Sequence, residues 1–188
     1  MPVEALATPA QLRLWLGLPA DSTEELPDAT AELLIAGVSK QVLTFTRRSS
    51  FTSTETTVRV GGTGTGTILL PGWPVSAVTA VVEDPDGDAP GDLLAYVDWS
   101  EDGILTLLTG GRWAARPRFY EVTFTHGYDE VPEDVRNLVL RVAARAFSNP
   151  EGLATEGVGG YNAGFAFDDT RLPTLSAPDR RELAAYVL

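Results

Sequence analysis

Cysteine is absent from the 188 residues. That excludes a disulfide framework, a thiolate metal site and a cysteine nucleophile, and it fits a reducing compartment. Histidine occurs once, at His126, so no pair of imidazoles exists for a histidine-rich zinc site. Neither HExxH nor GxSxG occurs, which removes the common signatures of zinc proteases and serine hydrolases. Lysine also occurs once, at Lys40, and we read that scarcity as the coding bias of a GC-rich genome. No stretch approaches the roughly 20 apolar residues of a membrane span. The opening "MPVEALATPAQLRLWLG" lacks a basic start, and polar residues interrupt its apolar ones, so no secretory leader is expected.

Positive charge is short throughout. Lys and Arg total 14 against 26 Asp and Glu, a net charge of −12. Phosphate affinity comes from counterion release by Lys and Arg, so a broad basic nucleic-acid face is excluded. Between Arg59 and Arg112 there is no basic residue at all. That interval holds Glu83, Asp84, Asp86, Asp88, Asp92, Asp98, Glu101 and Asp102. It reads either as a solvated acidic loop region or as a surface that repels DNA or a like-charged neighbour.

Apolar residues, by contrast, are ample. They make up 44% of the chain against 21% charged, enough for a core in one compact domain or one domain with a sizeable insertion. In "TPAQLRLWLG", Thr8 suits an N-cap, Pro9 the first helical position and Gln11 the capping box, while Gly17 stops the helix. Leu12, Trp15 and Leu16 are expected to share its inner face. A second helix is expected from Asp28 to about Phe45, with Leu34, Val38, Gln41, Val42 and Phe45 at helical spacing. Gly37 falls mid-helix, which a close helix contact would explain. Arg47 and Arg48 then favour the helix C-terminus.

From Phe51 to Thr125 alternation replaces the helical period. Strands are expected near 55–60, 67–70, 75–83, 93–97, 103–108 and 119–125, separated by turn chemistry such as "GGTGTG", "PGWP" and "DPDGDAPGD". Short strands at this spacing suggest an antiparallel sandwich or barrel. A third helix begins at Val131-Pro132, where Glu133 and Asp134 complement the dipole. Its apolar face is Val135, Leu138, Val139, Val142 and Ala146, and Asn149-Pro150 ends it. The glycine-rich stretch 151–169 carries Tyr161, Phe165 and Phe167, and a short helix capped by Ser176 or Asp179 closes the chain.

Candidate chemistry is sparse. His126 lies near Asp129, Glu130 and Glu133, but a turn beside a helix start supplies such neighbours by default. His126, Gly127 and Pro132 read as a structural junction. "VGGTGTG" at 60–66 lacks the Lys-Ser/Thr of a phosphate loop and leads into a strand, not a helix. Asp84, Asp86 and Asp88 alternate as calcium ligands often do, yet the EF-hand glycine and glutamate are missing. Trp73 fits a packed turn or an interface.

Several of these segments together resemble the head-to-tail adaptor (connector) proteins of long-tailed bacteriophages. The likeness rests on "LATPAQLRLWLGLP", "ATAELLIAGVSKQVLTFTRRSSF", "LLPGWPVSAVTAVVEDPDG", "VTFTHGYDEVPEDVRNLVLRVAARAFSNPEG", and the tail from "EGVGGYNAGFAF" to "DRRELAAYVL". "THGYDEVPEDVR" at 125–136 is its most specific part. Residue pattern and resemblance together give the expected fold: α+β, a helical adaptor core at 1–50 plus 126–150, a flexible tail with a terminal helix at 151–188, and, read from the alternation, a β-rich insertion at 51–125 that elaborates on the mostly helical shorter members. The resemblance also implies a role without catalysis, cofactor or metal. Such adaptors form a homo-oligomeric ring, about twelvefold, beneath the portal protein. The ring extends the DNA channel, lets viral DNA pass without specific binding and presents a platform to the next neck protein, the stopper. The location implied is the virion neck, assembled in the host cytoplasm, with no membrane. Tyr161, Phe165, Phe167, Leu183 and Tyr186 are then expected to grip the portal, and Asp84, Asp86, Asp88, Asp92, Asp98, Glu101 and Asp102 to line the channel or repel DNA. A stopper, another head-completion or capsid component, or a ligand-binding β-rich domain are the competing readings.

Overall fold

The computed structural model describes residues 3–148, 155–158, 161–164 and 174–188. The fold is α+β, with four α-helices and antiparallel sheets among the described residues and no closed barrel. The chain divides into two compact units. One is Met1–Ser49 with Val131–Val187; the other is Ser50–Glu130 with the terminal Leu188.

In the helical unit, α1 (Pro9–Trp15) starts as its capping box dictates. Gln11 N donates to Thr8 Oγ1 at 3.3 Å, and Thr8 N donates to Gln11 Oε1 at 2.9 Å. The inner face of α1 differs from expectation. Leu12 is buried, but Trp15 stays 46% exposed and the buried neighbour is Arg13, only 3% exposed. The reason is the segment after the helix. Arg13 Nε and Nη2 donate to the Leu26 carbonyl at 3.0 and 2.9 Å, Nη1 to Ala20 O at 3.0 Å, and Nη2 also to Asp28 Oδ1 at 2.5 Å. One guanidinium thus satisfies carbonyls that the irregular stretch would otherwise leave unmet, and α1 turns to place it there.

The second helix, α2 (Asp28–Thr46), buries Ala31, Ile35, Val38, Ser39, Val42, Leu43 and Thr46. This stripe is rotated from the expected one, leaving Leu34, Gln41 and Phe45 half-buried. Ser39 Oγ accepts from Leu6 N at 3.1 Å, and Thr46 Oγ1 donates to Val42 O at 2.8 Å, so the two buried hydroxyls are satisfied. Gly37 is exposed, and a Cβ there would meet nothing within 4 Å, so no close contact explains it. The third helix, α3 (Glu133–Ser148), buries Val135, Leu138, Val139, Leu140, Val142 and Ala143 against α1 and α2. Each fully buried Leu or Val in this set contributes about 1.5–3 kcal/mol. The last helix, α4 (Ala177–Leu183), opens on a second capping box, Ser176 with Asp179, and packs on α2. No helix among the described residues is long and apolar enough to cross a membrane.

The β unit holds β1 (Thr54–Val60), β2 (Thr67–Leu69), β3 (Val75–Glu83), β4 (Gly91–Asp92), β5 (Val97–Trp99), β6 (Ile104–Leu107) and β7 (Tyr120–His126). They form a four-stranded sheet in the order β1-β7-β3-β4 and a three-stranded sheet in the order β2-β6-β5. β7 is central because "YEVTFTH" alternates strictly, burying Tyr120, Val122, Phe124 and His126. Both sheets feed one core: Ile68, Val97 and Leu105 from the small sheet, Val75, Val81, Val122 and Phe124 from the large, and Trp113 from the loop before β7. The expected strand at 93–97 is not there. Leu94–Tyr96 is a turn of 3-10 helix, and the strand begins only at Val97. Asp92 Oδ1 accepts from Leu94 N at 3.0 Å, so a local side-chain bond outcompetes the ladder.

Candidate functional site

The acidic interval is continuous in sequence but divided in space. Asp84, Asp86, Asp88 and Asp92 surround the hairpin tip between β3 and β4, at the Glu83 end of β3. Glu101 and Asp102 occupy the turn between β5 and β6, where Val75 N donates to Glu101 O at 2.8 Å, at the opposite end of β3. Nine strand residues separate the two groups, roughly 25 Å at strand rise. Asp98 is exposed on β5, in the three-stranded sheet.

Several of these carboxylates are occupied. Arg59 on β1 clamps Asp86 with both terminal nitrogens, one of them at 2.9 Å, and reaches Glu121 from Nε at 3.2 Å. Those Arg59 hydrogen bonds hold the Asp86 carboxyl below the usual range and push the guanidinium further up. Asp92 caps Leu94, and Asp98 Oδ1 accepts from Trp99 N at 2.9 Å. Among the described residues, no three His, Asp or Glu side chains gather as a metal site.

His126 ends β7. Its ring is buried, bonds Thr56 Oγ1 through Nε2 at 3.3 Å and packs on Phe124 with centroids 5.1 Å apart. Gly127 follows at φ 110°, where a Cβ would lie 2.6 Å from Thr52 O. Gly127 N donates to Pro74 O at 2.9 Å, and Pro132 O accepts from Arg136 N at 2.9 Å just before α3. These residues end one element and start the next.

The glycine-rich loop 60–66 is also structural. Gly62 N donates to Arg116 O, Gly64 N to Trp113 O, and Trp113 Nε1 to Gly66 O at 3.0 Å. The loop amides face carbonyls of 113–116, so they are not presented to a phosphate. Trp113 sits edge-on to Tyr120 at 4.8 Å, and burial pushes the Tyr120 phenol up.

Of the expected portal-gripping residues, Phe165 and Phe167 lie outside the described residues. Tyr161 begins a strand, Tyr161–Gly164, paired antiparallel with Thr155–Val158. Leu183 is 1% exposed and belongs to the helical core, so it is no surface anchor here. Tyr186 is tied at both ends: its hydroxyl donates to the Asp134 carboxylate at 2.8 and 2.7 Å, and its carbonyl accepts from Arg48 Nε at 2.8 Å.

Two features escaped the sequence reading. One is an ion-pair cluster joining α3 to α4: Arg141 Nη2 donates to Asp179 Oδ1 at 2.9 Å and Glu182 Oε2 at 2.8 Å, and Arg145 Nη2 to Asp179 Oδ2 at 2.9 Å. Burial raises the Asp179 carboxyl, but hydrogen bonds from Ser176 and Arg145 outweigh it and leave the group below its ordinary value. The other is a groove of about 420 Å³ at the C-terminal end of α2, lined by Lys40, Arg47, Arg48, Leu43, Val3 and Glu4 among others. The one-turn spacing of Arg141 and Arg145 was visible in sequence, but their partners lie about 35 residues away.

No family model matches the chain, and no curated protein matches it. Solved structures do. A chain from the neck of an empty gene transfer agent particle, computed with C6 symmetry, superposes with a TM-score of 0.59 at 18% identity, covering 100% of this chain and 92% of that one. A chain from the virion of the native gene transfer agent gives 0.53 at 20% identity, covering 85% and 88%. A chain from the neck of the native particle, computed with C12 symmetry, gives 0.51 at 18% identity, covering 100% and 93%. The α+β fold described above is therefore shared with chains of those particles.

Proposed function

We propose that this chain is a structural, non-enzymatic protein of a phage-like virion neck, a head-to-tail adaptor that forms a ring under the portal, extends the DNA channel and receives the next neck protein. The observation that carries the reading is the full-length superposition on chains from particle necks computed with C6 and C12 symmetry. The residue-level resemblance to adaptors supports the same role from independent grounds. The helical unit supplies a rigid body, and the β unit stands as an insertion within it. The surface of the β unit carries four arginines against twelve carboxylates, a charge of −8. Such a surface lets DNA pass without adhering.

Portal contact is assigned to Tyr161, Phe165 and Phe167, since Leu183 and Tyr186 are engaged within the helical unit. Aromatic side chains of this kind make effective anchors. Mass by light scattering, alone and after mixing with the portal of the same genome, tests the role. A ring-sized species or co-migration with portal is expected. A chain that stays monomeric and ignores portal overturns the adaptor reading and favours a stopper. Replacing the three aromatics with alanine tests the contact. Removing everything from 160 onward does not, because it also removes Leu175, Asp179 and Leu183 from the core.

A further inference from the structure

We infer that the α2 groove is the socket for a second copy of this chain, whose acidic β3–β4 hairpin tip docks into it. The inference rests on the ring reading above and names the contact that would close the ring.

The groove gathers Lys40, Arg47 and Arg48, three of the fourteen basic residues of a chain with net charge −12. Lys40 and Arg47 are exposed, whereas Arg48 is buried and holds Tyr186. Leu43 and the exposed Val3 give the same groove an apolar floor, and Glu4 is its single acid. Cations over an apolar floor suit a folded acidic loop better than bare phosphates, which need cations alone. The matching surface is the 84–92 tip. It carries Asp84, Asp86, Asp88 and Asp92, and Arg59 answers only Asp86. Gly87, Ala89 and Pro90 give that tip a narrow profile, and Gly87 N closes its turn on Asp84 O at 2.9 Å. A socket on one unit of a subunit and a plug on the other unit of its neighbour make a heterologous contact. Repeated around an axis, that contact closes a ring.

Charge reversal tests this directly. Lys40→Glu with Arg47→Asp reverses the socket and leaves the buried Arg48 in place. Asp84→Arg with Asp88→Arg reverses the plug, since Arg59 already neutralises Asp86, and spares Asp92, which caps Leu94. Self-association is measured by sedimentation on the free chain and on the chain mixed with the portal of the same genome. Each variant alone should associate at least about tenfold more weakly than the parent. The two mixed in equal amounts should recover association as alternating rings with an even number of subunits, because every socket then faces a plug of opposite sign. Raising salt from about 0.1 to about 1 M shortens the screening length from about 10 to about 3 Å and should weaken the parent ring.

The absence of cysteine provides a second readout. Ser49→Cys with Asp88→Cys in one chain should give a ladder of disulfide-linked oligomers on oxidation, and Glu24→Cys with Asp88→Cys should not. Rings that form at parental affinity from either reversed variant, or a disulfide confined within single chains, overturn the inference and leave the neck role standing. Duplex DNA that binds the parent, and is lost with Lys40→Glu and Arg47→Asp while association is unchanged, replaces the second copy with DNA. A parent that neither self-associates nor meets portal removes both readings.

Discussion

Gly37 lies exposed midway along α2, and a Cβ built there meets nothing within 4 Å. Nothing in the fold requires glycine, so Gly37→Ala should stabilise the protein by about 0.5–1 kcal/mol, read as a higher denaturant midpoint at unchanged slope. Gly62 is the opposite case. A Cβ there would stand 1.9 Å from the Ala114 carbonyl oxygen. Backbone cannot yield as a side-chain tip does, so Gly62→Ala should cost several times what Gly37→Ala gains and should displace the 113–116 strap that buries Trp113. Trp113→Ala, removing the largest fully buried side chain, should cost about 3–5 kcal/mol by the same unfolding measurement. Sequence could not separate these glycines, because the difference lies in what sits opposite each one. It did disclose Thr8 with Gln11, since a capping box is local. It missed Arg13, whose partners Ala20 and Leu26 are backbone carbonyls without a side-chain signature.

At the level of elements, α4 shows how a short helix is held. Seven residues make a marginal helix in isolation. Its Leu183 is buried, and its Asp179 is gripped by Arg141 and Arg145 of α3. The Asp179 carboxyl is depressed in the folded state, against about 3.9 when unfolded. Its contribution is therefore complete above about pH 4 and is lost as pH falls through the lower folded-state value. Asp179→Asn should destabilise the helical unit by about 1–3 kcal/mol at neutral pH and should flatten the acid limb of the stability curve below about pH 4. An acid limb unchanged by the substitution would refute the assignment. Strand legibility followed the same logic of locality. β7 was readable because alternation runs over its seven residues, and β3 because a run rich in valine lies between the turn signals "PGWP" and "DPDG". The 93–97 stretch was misread because "LLAYV" has strand composition, while the bond that bends it comes from Asp92 outside the run. β4 is two residues long, paired only at Val82–Asp92 and Glu83–Gly91, and two residues carry no period.

The two units are joined by chain crossings that the β unit itself holds together. Ser53 N donates to Tyr128 O and Tyr128 N donates to Phe51 O, both at 2.8 Å, and the Phe51 and Tyr128 rings stack at 6.5 Å. A segment whose two ends are pinned to each other is the geometry of an inserted domain, because the host chain can pass through it without a long detour. Its core is also self-contained: Ile68, Val81, Leu105, Trp113, Val122 and Phe124 are all contributed from within 50–130. That pattern explains why fold class was legible over most of the chain while the acidic surface was not. Cores are built from periodic runs, whereas the surface depends on which turns a strand carries to which end. The expectation that follows is that residues 50–130, expressed alone, fold. They should show a single cooperative thermal transition and a buried Trp113, seen as dispersed amide and indole resonances and a fluorescence shift on unfolding. At −8 on 81 residues, the excised unit should also gain stability as salt screens its carboxylates, since self-repulsion opposes its compact state. A non-cooperative melt or a collapsed resonance spectrum would mean that the β unit depends on the helical unit for its fold, and the insertion model would fail with it.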